Sequence, residues 1–109
     1  MRQSKRAKLE REGWRVGTAA EFLGLSPEEA ALVETKLALS RGLRARRTKQ
    51  RWSQMALAKH LKSSQSRVAK MESADPSVSV DLLLRALFAL GATPRDVGRV
   101  LRASGGTAA

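Results

Sequence analysis

Apolar positions recur along this chain at helical spacing, and no stretch alternates in the way a half-buried strand does. Ser26-Pro27-Glu28-Glu29 is the clearest start signal. Ser26 can cap free N–H groups, Pro27 suits the first helical position, and Glu29 completes a capping box. The pattern predicts a helix over 27–49, with Leu32, Leu39 and Leu43 on one face and Ala30, Val33 and Leu37 on a neighbouring one. A stripe that wide needs a second cover in its N-terminal half, either Trp14, Phe22 and Leu23 or another subunit. Ser53 and Ser64 cap two shorter helices, 54–60 and 65–72, which bury Leu57, Ala58 and Leu61, then Val68 and Met71. Ser79 opens a fourth helix that ends at Leu90, with Gly91 as a left-handed stop. Thr93-Pro94-Arg95-Asp96 repeats the cap-proline-acid pattern and starts a last short helix through Val97, Val100 and Leu101.

Upstream, Thr18 and Glu21 form a further capping box, for a short helix that carries Phe22 and Leu23 and stops at Gly24. The expected organisation is an arm and short helix over 1–25, a helical domain over 26–102, and a disordered small-residue tail over 103–109. The fold class is all-α.

Length and composition agree with one small domain. The chain has 109 residues, 42% hydrophobic but only 4% aromatic, so its core is built from Leu, Val and Ala. Cysteine is absent, which excludes disulfides and thiolate metal sites, and His60 is the only histidine. No cofactor is expected. Apolar runs fall short of a membrane span, and MRQSKRAKLERE lacks the apolar centre of a secretory signal, so a cytoplasmic protein is the expectation. No Ser/His/Asp set, phosphate-binding glycine loop or paired-carboxylate arrangement stands out, and an enzyme is not expected.

Charge sharpens the picture. The net charge of +11 asks for a polyanionic partner, nucleic acid before an anionic membrane. Residues 36–51 hold Lys36, Arg41, Arg44, Arg46, Arg47, Lys49 and Arg51 without one acid, and 16–35 hold only Glu21, Glu28, Glu29 and Glu34. The acidic patch suggests a second partner surface, although acids in a first helical turn are also ordinary dipole chemistry.

The stretch 53–72, SQMALAKHLKSSQSRVAKME, concentrates these signals. A tight turn at Lys62 brings two helices together where Ala58 is small, and Val68 packs back on the first. The opposite face then points outward with Gln65, Ser66, Arg67 and Lys70, polar and hardly anionic, as reading a DNA groove requires.

This stretch, followed by PSVSVDLLLRALFALG, resembles the lambda-repressor-like helix-turn-helix domain of the XRE family over about residues 39–101. The flank GWRVGTAAEFLGLSPEEAALVETKLALS is similar to small stand-alone XRE proteins described as HigA-like antitoxins. The resemblance implies a five-helix DNA-binding domain with roles for individual residues. Gln54 matches a phosphate-contacting glutamine, and Gln65 stands where a bidentate contact to adenine is feasible. Ser66 and Lys70 take further base-facing positions, with the lysine favouring guanine. Arg67 can reach a guanine or a phosphate, and Ser64 caps and can touch the backbone. Arg47 and Glu72 match a structural ion pair, while Arg44, Arg46, Arg51 and Lys62 are phosphate candidates. Arg51 and Lys62 stand where the family often has glycine, which trades stability for positive charge near phosphates.

The function expected is a bacterial, nucleoid-associated repressor that binds a double-stranded operator with an inverted repeat as a homodimer. A narrower expectation is the antitoxin of a toxin–antitoxin pair, binding its toxin through Glu21, Glu28, Glu29 and Glu34. The alternative is a nucleic-acid or RNA-binding accessory protein without sequence preference.

Overall fold

The structure is a computed structural model that describes residues 24–108, with side chains described as far as Ala103. Five α-helices follow in order: α1 (Pro27–Lys49), α2 (Gln54–His60), α3 (Gln65–Glu72), α4 (Val80–Ala89) and α5 (Pro94–Ala108). No strand occurs among the described residues. The expected arm, its short helix, and Trp14, Glu21, Phe22 and Leu23 lie outside the described residues.

The start signals act as the sequence predicts. Ser26 Oγ accepts from the Glu29 N–H at 3.1 Å while Glu29 Oε1 accepts from the Ser26 N–H at 2.8 Å, closing the capping box. Ser53, Ser64 and Ser79 each accept from the N–H three residues on, at 2.9, 3.1 and 3.1 Å. Thr93 and Asp96 exchange the same reciprocal pair at 3.1 and 2.9 Å.

The stops share one geometry. In α1 to α4 the second residue beyond the C-cap donates back across six residues: Trp52 to Arg47 O, Ser63 to Ala58 O, Asp75 to Lys70 O and Ala92 to Leu87 O, at 3.0, 2.7, 3.0 and 3.0 Å. Each is a Schellman ending, which needs a left-handed residue. Only one of the four is glycine, Gly91 at φ 91°; the others are Arg51 (64°), Lys62 (57°) and Ala74 (56°). Ala74 was not anticipated.

One core joins four helices. Leu39 and Leu43 of α1, Leu57 and Ala58 of α2, Val68 and Met71 of α3, and Leu83, Ala86 and Leu87 of α4 are buried together, with Trp52, Leu61 and Val97 packed on them. Each large side chain removed from water contributes about 1.5–3 kcal/mol. Among the described residues one buried side-chain polar atom, Ser40 Oγ of α1, has no hydrogen-bond partner.

Helix α5 lies along α1 through two contacts one turn apart on each helix. Arg46 pairs with Asp96 at 3.4 Å, and Val100 sits against Gly42, where a Cβ would stand 2.7 Å from its Cγ1. Ala38, one turn further along α1, is also buried. The helix runs past the expected end at residue 102 as far as Ala108, so the tail expected to be disordered over 103–109 is helical backbone to that residue. No proline interrupts it, and a continuing helix gains a backbone hydrogen bond for each residue it fixes.

Candidate nucleic-acid interface

Helices α2 and α3 follow one another across a short turn and pack together, as the sequence predicts. Leu57 and Ala58 face α3, Val68 and Met71 face back, and all four are buried. The turn between them is fixed by three backbone bonds, Leu61 to Leu57 O, Lys62 to Lys59 O and Ser63 to Ala58 O. With Val68 and Met71 committed to the core, Gln65, Ser66, Arg67 and Lys70 of α3 are left exposed, with the small Ala69 between them.

A chain of side-chain bonds anchors this face at both ends. Arg47 reaches Glu72 through both Nε and Nη2, the latter 3.0 Å from Oε1, and donates Nη1 to Trp52 O at 2.7 Å. The pair is largely withdrawn from water, with side-chain exposures of 12% and 5%. Its hydrogen bonds to Glu72 hold the guanidinium pKa above the ordinary arginine value. Glu72 Oε1 also accepts from Gln54 Nε2 at 3.0 Å, and Gln54 Oε1 faces Gln65 Nε2 at 3.5 Å. The C-terminal end of α3 is thus tied to α1, and its N-terminal residue to the start of α2. The acid of α3 is consumed in this chain, so the outward face keeps amide, hydroxyl and cationic groups with the small Ala69 among them.

The cations divide into two sets. Arg44, Arg51 and Lys62 are exposed, and no carboxylate bonds any of them among the described residues. Arg46 is different: its guanidinium turns to Asp96 of α5 and is half-buried, so the structure gives it a bridging place between helices. Asp96 Oδ2 accepts from the Thr93 N–H at 2.9 Å, and with the Thr93 hydroxyl, Arg46 and Arg99 beside it the carboxyl pKa is lowered.

Glu28, Glu29 and Glu34 lie on the N-terminal half of α1, with Glu29 engaged in the capping box. Leu32 and Val33 beside them are 52% and 40% exposed, so the wide stripe stays partly open. His60 is exposed, with Nε2 3.3 Å from Ala89 O and its ring edge-on to Trp52 at 5.0 Å. Met55, next to Gln54 at the start of α2, is 58% exposed. Its position off the Leu57–Ala58–Leu61 face is the signal that marks it as outward. No cluster of possible metal ligands occurs among the described residues, and no described helix is long and apolar enough to cross a membrane.

Residues 38–105 match the family of the helix-turn-helix domain. No curated protein and no solved structure matches the chain. The matched segment takes in the α2–α3 pair, the ion pair that anchors it and the helices that support it, over more than half the sequence, and the chain belongs to the helix-turn-helix domain family.

Proposed function

We infer that this protein is a sequence-specific DNA-binding transcriptional regulator, a repressor, that inserts α3 into the major groove. One observation carries the reading: the exposed face of α3 is polar and cationic, and a bonded chain from Arg47 through Glu72 and Gln54 reaches Gln65 at its first residue. A helix held at both ends presents its base-reading groups from a fixed backbone. Gln65, Ser66 and Lys70 take the base edges; Arg67 takes a base or a phosphate. Gln54, Ser64, Arg44, Arg51 and Lys62 take phosphates.

A single short helix reads few base pairs, so the regulator acts as a homodimer on an inverted repeat. Phe88 and Leu101, 45% and 37% exposed, remain open for that contact, whereas Val100 is committed to Gly42. The resemblance to XRE proteins and HigA-like antitoxins supports a narrower form, in which the acids Glu28, Glu29 and Glu34 beside open Leu32 and Val33 receive a basic toxin. Co-purification with the product of the neighbouring gene tests that form; absence of a complex removes it. The setting is the bacterial cytoplasm, and the role is binding without catalysis.

The test is selection of a binding site from random duplexes, then competition against scrambled DNA at physiological salt. A regulator prefers its site by ~10³ or more. Equal affinity for every duplex favours the accessory nucleic-acid-binding protein instead.

A further inference from the structure

The reading helix leaves a second positive surface unused. At about 100° per residue, α1 turns Leu39 and Leu43 to the core, Arg41 and Ala45 to the opposite side, and Lys49 to the outer flank between Ala45 and α5. Arg41 and Lys49 are exposed. Arg47, which meets α3, stands about 160° round the helix from Ala45. Gly42 and Arg46, which meet α5, lie on the other flank. Helix α5 adds Arg95, Arg99 and Arg102, spaced by four and three residues along one edge and all exposed. Asp96 and Val100 face α1 and Val97 packs on the core, which turns that arginine edge to the same outer side as Arg41 and Lys49.

Five exposed cations thus share one face. The acid among them, Asp96, is already engaged by Arg46 at 3.4 Å and by Arg99 at 3.0 Å. The arginine edge extends about 10 Å along α5, close to three base-pair rises along a duplex axis. Helix α1 stands between this face and α3, so a straight duplex seated on α3 leaves it uncovered.

We propose that the outer face of α1 and α5 binds the phosphate backbone of a second DNA duplex, so that the protein bridges two DNA segments. The proposal rests on α3 taking the first duplex. The contact reads charge alone, since no amide group accompanies the five cations.

The test is capture of a fluorescent duplex by the full chain on beads that carry an unlabelled duplex. The variant Arg41→Ser/Arg95→Ser/Arg102→Ser removes three exposed cations and leaves the Asp96 pairs intact. It is expected to keep single-duplex affinity within threefold and to lower co-capture at least tenfold, while the all-lysine counterpart captures as the parent does. An unchanged urea midpoint shows that the fold is intact. Three results overturn the proposal: undiminished co-capture by the serine variant, an equal loss of single-duplex affinity, which puts the face on the first duplex, or a parent that binds one duplex and never two. A parent that binds no duplex overturns the regulator reading as well.

Discussion

The carboxylate of Glu72, at the end of α3, receives Arg47 from α1 and Gln54 from α2, with Arg47 Nη2 and Gln54 Nε2 both 3.0 Å from Oε1. One acid therefore fixes α3 to the two helices that precede it. Its side chain is only 5% exposed, and a buried charge that loses its partner is costly. Glu72→Ala is expected to lower stability by about 3 kcal/mol, read by urea denaturation. Arg47→Met/Glu72→Met is expected to lose less than the sum of the two single changes, because neither charge is left alone.

Ser40 offers the opposite case. Its hydroxyl is buried in α1 with no partner, so it contributes desolvation cost without a bond. Ser40→Ala is expected to raise stability by about 1 kcal/mol in the same assay.

The four Schellman endings give a matched set. Arg51, Lys62 and Ala74 hold a left-handed backbone that favours glycine. Each change to glycine is expected to relieve strain of about 1 kcal/mol. Arg51→Gly and Lys62→Gly are also expected to weaken DNA binding and lower the salt slope by about 0.9 each, whereas Ala74→Gly leaves both unchanged. Anisotropy titrations across a salt series separate the three.

Close approach of α1 and α5 depends on Gly42. A Cβ there meets Val100 Cγ1 at 2.7 Å. Gly42→Ala is expected to cost about 1–3 kcal/mol, and Val100→Ala in that background to recover part of it, since the shorter side chain clears the space. Thermal unfolding of the double variant checks the pairing.

Acid sensitivity follows from Asp96 and Asp75. Hydrogen bonds from Thr93 and from Ser77 lower their folded-state pKa values. Their contribution is therefore present above the unfolded carboxylate value, about 3.9, and is lost as pH falls below it. Stability is expected to hold from neutral pH to about pH 4 and then decline, less steeply in Asp96→Asn. Urea midpoints across pH 2–7 measure it.

Much of this was legible in the sequence because it is local. A cap is a serine three residues before the N–H it accepts, and 26–29, 53–56, 64–67 and 79–82 all show it. Ala58, Val68 and the Arg47–Glu72 pair followed from spacing and resemblance. Contacts between distant segments were not legible. Nothing in the spacing tells that Arg46 turns to Asp96 while its neighbour Arg47 turns to Glu72; 100° of helix decides it. The length of α5 was hidden as well, because Ser104-Gly105-Gly106 reads as a tail by composition. Residues 1–23, where the arm and its apolar plugs were expected, lie beyond the described structure.

The most direct test of α3 as the reading helix compares base preference in three proteins on one selected site: the parent, Lys70→Ala and Gln65→Ala. Each substitution is expected to cost about 1–3 kcal/mol on the selected site and to relax preference at one defined base pair, with scrambled-duplex affinity little changed for Gln65→Ala. Base preferences identical to the parent's in both variants, with affinity lost equally on every duplex, would contradict the assignment of α3 to the groove.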